Sequence, residues 1–196
     1  MEAATGKAKV ELREQMRLRL ESLSPAQVRT ATAAIWERLS VLAPFARAEW
    51  LLIYVSKGHE VDTHGLIRQL LALGKYVCVP SFDEARQQYV ASELRDFDSE
   101  LVEGKFRILE PKPDAVRRIE VAKLGALVLP GLAFDKRGNR LGRGLGFFDA
   151  ILRDARGTKI ALAHDFQVLS EVPAEPHDVG VDFIVTEARV VETKRN

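Results

Sequence analysis

The stretch from Trp50 to Pro80 limits what this chain can become more than any other. WLLIYV (50–55) is a continuous apolar run of strand length, the pattern of a strand buried on both faces. A polar loop, SKGHEVD (56–62), follows. Asp62 or Thr63 can then cap a helix carrying Leu66, Ile67, Leu70 and Leu71, and Gly74 is a natural stop. YVCVP (76–80) is a second short strand. Strand, helix and strand within about 30 residues make a βαβ unit, and its two strands run parallel because the helix carries the chain back to the edge it left. A parallel pair needs cover on both faces, which points to an α/β fold.

The flanking sequence fits such a sheet. Leu12, Met16 and Leu20 recur every four residues over 7–20, the spacing of one helix face, and Lys9, Arg13 and Arg17 recur on a neighbouring one. Ser24, Pro25 and Gln27 form a helix start, with the helix expected to run to about Val41, before Pro44. QYVASEL (88–94) reads as a strand after the turn FDEARQQ (82–88), and FRILEPKPD (106–114) as a proline-broken loop. LGALVLPG (124–131) and KIALAH (159–164) read as buried strands, FFDAILRD (147–154) as a short helix and VDFIVTE (181–187) as the last strand. In a mostly parallel sheet, ligands sit outside the carboxyl ends of the strands. The loops that can carry function are therefore 56–62, 131–146 and 165–178.

Composition excludes several classes of function. A formal net charge of +1 supplies no bulk field for nucleic acid or an anionic membrane. The single cysteine, Cys78, lies in an apolar run and cannot form an internal disulfide, which suggests a reducing compartment. No apolar run approaches the ~20 residues that span a bilayer, and the N-terminal residues lack the apolar stretch of a secretory signal. A cytoplasmic protein without nucleic-acid or membrane partners is expected.

The chemistry is concentrated in GNRLGRGLGFFDAIL (138–152), where Gly138, Gly142, Gly144 and Gly146 alternate with Arg140 and Arg143 ahead of a helix. Glycines let a ligand approach the backbone closely, a helix start adds partial positive charge, and arginines add forked donors suited to phosphate oxygens. Together these describe a polyphosphate cradle, although neither the Walker pattern nor the dinucleotide fingerprint is present. A surface loop with solvated arginines has the same composition. Asp149 can be a helix cap, or a carboxylate that helps hold Mg²⁺ beside phosphates, with Asp178 or Asp182 as a second. His59, His64, His164 and His177 show no zinc spacing with cysteines. Asp135 reads as a turn residue, and Trp36 and Trp50 as core.

Four stretches carry a family resemblance: KVELR (9–13), HEVDT (59–63), LPGLAFDKRGNRLGRGLGFFDAIL (129–152) and PAEPHDVGVDFIVTE (173–187). With them the chain resembles the 5-formyltetrahydrofolate cyclo-ligase (5,10-methenyltetrahydrofolate synthetase) family over nearly its whole length. The resemblance implies a three-layer α/β/α sandwich with a mostly parallel sheet, of the sugar-isomerase and CoA-transferase type, forming a single domain over 1–196. It implies ATP- and Mg²⁺-dependent closure of 5-formyltetrahydrofolate to 5,10-methenyltetrahydrofolate by a monomer. A non-catalytic folate- or nucleotide-binding paralogue on the same fold is the alternative.

Carried over by position, the resemblance assigns Lys9, Val10, Glu11, Leu12 and Arg13 to ATP, together with Arg140, Leu141, Gly142, Arg143, Gly144, Leu145, Gly146, Phe147 and Phe148. It assigns Val55, Glu60 and the segment Arg143, Gly144, Leu145, Gly146 and Phe147 to the folate. It makes Asp149 and Asp178 magnesium ligands and gives Arg143 and Lys9 the catalytic charge. Two positions depart from the family pattern. Phe147-Phe148 stands where a tyrosine-containing pair is usual, so no hydroxyl is offered there. Leu145 stands where glycine or a charged residue is common.

Overall fold

The computed structural model describes residues 2–104, 107–144, 148–176 and 178–194, with the backbone alone at 2–4 and 149–150. Helix α1 (Glu2–Glu21) begins earlier than its apolar stripe, and α2 (Pro25–Ser40) begins where the sequence signals it. The Ser24 hydroxyl accepts the Gln27 N–H at 3.3 Å, and Gln27 Oε1 accepts the Ser24 N–H at 2.8 Å, a complete capping box. After the short α3 (Ala43–Arg47), β1 (Trp50–Ile53), α4 (His64–Ala72) and β2 (Tyr76–Asp83) form the βαβ unit. Its strands are parallel, with Trp50 opposite Tyr76 and Leu52 opposite Cys78. At the start of α4 the two capping candidates divide their work. Asp62 Oδ1 accepts the His64 N–H at 2.9 Å, while the Thr63 hydroxyl donates to the Tyr54 carbonyl at 2.6 Å.

Strand β3 (Gln88–Leu94) returns antiparallel to β2. Then follow α5 (Phe97–Glu100), β4 (Leu101–Glu103) and β5 (Leu109–Pro111). The expected loop at 106–114 thus contains a strand: β5 pairs with β4 in a separate two-stranded ladder, where Pro111 is tolerated because such edges need not donate. The remaining elements are β6 (Ala126–Leu129), the hairpin β7 (Ala133–Asp135) and β8 (Arg140–Leu141), α6 (Asp149–Asp154), β9 (Thr158–Leu162), β10 (Val168–Leu169), β11 (Phe183–Val185) and β12 (Val190–Glu192). VDFIVTE is therefore not the last strand, because the chain turns at Thr186–Arg189 and pairs β12 antiparallel on β11.

The central sheet has the order β12-β11-β9-β6-β1-β2-β3, with parallel pairing from β11 through β2 and antiparallel edges. Alternate residues serve opposite faces. Leu51, Ile53 and Val128 pack with Ile35 and Leu39 of α2 and Leu66, Ile67 and Leu70 of α4. Leu52, Leu127 and Leu129 pack with Ile151 and Leu152 of α6. This is a three-layer α/β/α arrangement on a mostly parallel sheet. Cys78 is fully buried in the second layer, and burial pushes its thiol up to about 12, which keeps it inert. Among the described residues no helix is long and apolar enough to cross a membrane.

A second sheet, β10-β7-β8, stands beside the first and receives α1. Met16 and Leu20 bury against Leu132, Ala133, Leu141 and Val172, with Leu12 at the margin. Asp135, expected as a turn residue, is fully buried here. Its carboxylate accepts N–H groups from Arg137 at 2.9 Å, Asn139 at 3.1 Å and Val172 at 2.9 Å, and the Asn139 amide at 2.9 Å. It closes the β7–β8 hairpin and fastens the segment near Val172 to it. Replacing Asp135 with alanine strands those donors in the interior. With hydrogen bonds to a charged acceptor worth about 1.5–3 kcal/mol each and not additive, Asp135→Ala is expected to cost at least about 3 kcal/mol in urea unfolding. A loss below about 1 kcal/mol would mean that the hairpin is held elsewhere.

Candidate active site

From β1 the chain crosses to β2 on one side, while β6 pairs on the other. The sheet therefore has its topological switch between β1 and β6, where loops leaving the two strands diverge and open a crevice. A cleft of about 470 Å³ lies there, lined by Tyr54 and Val55 after β1 and by Pro130 and Gly131 after β6. That volume suits a small molecule.

The loop after β1 forms one wall, and it is tightly fixed. The buried Tyr54 hydroxyl donates to the Val61 carbonyl at 2.7 Å, and Trp36 Nε1 donates to the Asp62 carbonyl at 2.8 Å. The Thr32 hydroxyl accepts the Asp62 N–H at 3.1 Å. From the far side, His164 Nε2 donates to the His59 carbonyl at 3.1 Å. Glu60 sits on this braced loop. One of its oxygens accepts the Lys57 N–H at 2.9 Å. The other accepts Arg143 Nη2 at 2.7 Å and Nε at 3.1 Å. Glu60 is only 13% exposed, so it is not a solvated loop acid.

The glycine loop forms the second wall. Arg13 of α1 reaches beneath it and donates from Nε to the Gly142 carbonyl at 3.0 Å. Gly144 has φ +85, a backbone conformation that favours glycine, and a Cβ there would stand 3.2 Å from the Arg13 guanidinium carbon and press on it. Helix α6 is only six residues long and has no side-chain cap hydrogen bond. The loop leads into α6 as the sequence suggests, and the full positive charges at this wall are those of Arg13, Arg140 and Arg143.

The third wall is the segment before β11. Lys9, buried on α1, donates from Nζ to Glu175 and to Asp178, each at 2.6 Å, and Asp178 also accepts the Glu175 N–H at 2.8 Å. Burial alone would lower the Lys9 pKa, but the hydrogen bonds and charges of Asp178 and Glu175 outweigh it and raise it, so the ammonium stays charged. The remaining side is apolar: Pro80, Tyr89, Ile108, Leu109, Phe148 and Val179. The Tyr89 hydroxyl donates to Glu110 Oε1 at 2.9 Å, and Glu110 Oε2 accepts the Phe82 N–H at 3.0 Å. Burial, reinforced by Glu110, pushes the Tyr89 phenol up, so it remains a neutral donor. A basic, glycine-lined end and an apolar end thus share one cleft, as a substrate pair of one polyanion and one flat heterocycle would need.

A family model for the 5-formyltetrahydrofolate cyclo-ligase family matches residues 5–187. The chain belongs to this family. It is 31% identical over 180 residues to the 5-formyltetrahydrofolate cyclo-ligase of Escherichia coli, covering 90% of this chain and 99% of that one. The Mus musculus cyclo-ligase is 28% identical over 190 residues, covering 92% and 94%. The solved 5,10-methenyltetrahydrofolate synthetase of Aquifex aeolicus superposes with a TM-score of 0.84 at 28% identity, covering 96% of this chain and 94% of that one. Family membership makes the protein an enzyme of folate one-carbon metabolism, a ligase that converts 5-formyltetrahydrofolate to 5,10-methenyltetrahydrofolate.

Of the residues singled out in the sequence, Lys9, Arg13, Val55, Glu60, Arg140, Leu141, Gly142, Arg143, Gly144, Phe148 and Asp178 line the cleft of this cyclo-ligase fold. Val10 and Glu11 are exposed and Leu12 turns toward the second sheet, so these three do not line it. The reason is helical period: only Lys9 and Arg13, four apart, share the inward stripe. Leu145, Gly146, Phe147 and His177 lie outside the described residues, as does the side chain of Asp149. Asp182 accepts the Lys159 N–H at 2.8 Å and braces β9, leaving Asp178 as the cleft carboxylate. Sequence reasoning did not find Lys57, Pro80, Tyr89, Ile108, Leu109 or Glu175. Of these, Lys57 lies in the loop 56–62 already marked, and Glu175 stands three residues before Asp178 in a motif already singled out.

His164 is buried and ties the first wall down. Burial lowers its pKa, only partly offset by its hydrogen bond to His59. The neutral ring is thus the folded form. Below the unfolded pKa of about 6.5 the unfolded chain binds a proton that the folded chain refuses, so this contribution is complete above that pH and is lost as pH falls. The melting temperature should drop between pH 7.5 and 5.5, and His164→Gln should flatten that drop. Parallel curves for the two proteins would remove His164 as the cause.

Proposed function

We propose that the cleft binds ATP along its basic, glycine-lined end and 5-formyltetrahydrofolate against its apolar end, and that the enzyme activates the formyl oxygen by phosphorylation. The observation that carries this reading is the meeting of those two surfaces at one switch point. The formyl oxygen of an N-formyl group is a poor leaving group. Transfer of the γ-phosphoryl group onto it releases ADP and gives an iminium phosphate. The N10 lone pair then attacks the formyl carbon, N10 loses its proton, and phosphate departs with the C–O bond.

This chemistry asks the protein for alignment and charge neutralisation rather than a nucleophile. Arg140 and Arg143 supply forked donors for phosphate oxygens, and Lys9 supplies a buried point charge. Pro80, Ile108, Leu109 and Phe148 exclude water, and Glu60 offers a carboxylate to the pterin N–H groups. Asp178 fits a role in holding magnesium, because Mg²⁺ takes hard oxygen donors from one or two carboxylates plus phosphates. Asp149 is the second carboxylate expected from the sequence. When bound, the ion neutralises charge on the phosphates. Residues 1–196 act as one catalytic domain in this reading, as a cytoplasmic monomer.

The direct experiment follows the absorbance of methenyltetrahydrofolate formed from 5-formyltetrahydrofolate. Product is expected only with both ATP and Mg²⁺. Ligand binding without turnover would leave a binding paralogue instead. Arg143→Ala should weaken ATP binding by about 1.5–3 kcal/mol, or roughly 10- to 150-fold, the scale of a charged hydrogen bond. Its apo melting temperature should hardly move, since Arg143 is 41% exposed. Unchanged ATP affinity would make the loop a solvated surface turn.

A further inference from the structure

Glu60 and Arg143 stand on loops that follow strands of different sheets, β1 and β8, yet they form an ion pair across the cleft, with Nη2 2.7 Å and Nε 3.1 Å from one Glu60 oxygen. The two partners are not equivalent. Glu60 is held: its other oxygen takes the Lys57 N–H, and its loop is fastened by Tyr54, Trp36, Thr32 and His164. Arg143 lies between Gly142 and Gly144, and its side chain is 41% exposed against 13% for Glu60. If the pair opens, the arginine is the member that moves.

The pair also joins groups that the two substrates need separately. Resting on the proposed function above, ATP needs the Arg143 guanidinium and the pterin needs the Glu60 carboxylate. In the free protein each neutralises the other. We infer that the Glu60–Arg143 pair couples the two substrates: ATP draws Arg143 away from Glu60 and so exposes the carboxylate to 5-formyltetrahydrofolate. Glu60 then has a second role as the positioning residue for Arg143. Each substrate tightens the other, because whichever binds first opens the shared pair and the second no longer has to. The coupling is reciprocal by linkage.

The test uses the whole protein, Mg²⁺ and the non-hydrolysable β,γ-imido analogue of ATP in titration calorimetry. In the wild type, a saturating concentration of the analogue should tighten 5-formyltetrahydrofolate binding by about 5- to 50-fold, within the usual span of a two-site coupling. Glu60→Gln should bind the analogue about 3- to 10-fold more tightly than wild type without folate, since glutamine cannot hold the guanidinium with charge. It should also lose most of the coupling. A Glu60 that only received the pterin would leave affinity for the analogue unchanged. Unchanged or weakened binding in a folded Glu60→Gln protein overturns the inference, and so does independent binding of the two ligands to wild type, which needs no variant. Arg143→Ala separates the layers. If it weakens the analogue while Glu60→Gln has no effect, the phosphate role stands and the coupling falls. If it has no effect, both fall.

Discussion

The buried carboxylate of Asp135 is the point on which the ligand-binding edge of this protein depends. A carboxylate leaves water only where donors replace it. Here the donors come from two stretches that must be brought together: Arg137 and Asn139 in the β7–β8 hairpin, and Val172 well beyond it. The hairpin delivers Arg140 through Gly144 to the cleft, and the segment after Val172 delivers Glu175 and Asp178. The bracing continues through side chains. Gln167 donates to the carbonyls of Gly131 and Leu132 at 2.8 and 3.1 Å and accepts the His164 N–H at 2.8 Å, and the His164 ring holds His59. Polar groups that cannot be left unpaired inside thus set the relative positions of all three walls.

Within that frame the cleft meets an electrostatic requirement that is easily missed. Five basic side chains and three acidic ones line it. A cation as buried as Lys9 cannot wait for its ligand unpaired, because desolvation would push it toward the neutral form. Glu175 and Asp178 keep it charged, as Glu60 keeps Arg143 in place. On the proposed function, polyphosphate does not enter an empty field of positive charge but replaces carboxylates already present. Affinity is a difference between two paired states, and so residues of one substrate site can alter binding at the other.

Much of the architecture was legible because it is written in local periodicity. The apolar run at 50–55, the helical spacing at 66–71 and the Ser24–Gln27 start each specify their element within a few residues. The glycine-arginine alternation marked the loop that faces the cleft. What stayed hidden arises from contacts distant in sequence. Three-residue strands such as β5 and β12 exist because a partner edge is present, not because their residues demand extension. Tyr89 and Glu110 look like an ordinary strand residue and an ordinary loop acid until the fold joins them. Helix α1 shows the boundary well. Its i, i+4 pattern correctly grouped Lys9 with Arg13, but Arg17 on the same stripe pairs with Glu14 and Glu21 in solvent. Where the stripe leaves the cleft is decided by how far the second sheet extends beneath it, a length that no helical repeat contains.

Phe148 sharpens the distinction between what a family motif preserves and what a site needs. The family resemblance implies a tyrosine in this aromatic pair, and this chain offers no hydroxyl there. Phe148 lines the cleft and packs against both core clusters, immediately before α6. Its carbonyl accepts the Leu152 N–H at 2.8 Å and starts that helix. At this position the ring's demonstrable work is to seal the junction of two layers at the edge of the cleft, and a phenylalanine does that with no polar atom to satisfy. On the proposed function, donors for the substrates come from groups that the fold already holds at the cleft: Arg140, Arg143, Lys9 and the backbone around Gly142. The lost hydroxyl removes one hydrogen bond from the reach of the aromatic pair and leaves the charges that face the cleft unaltered.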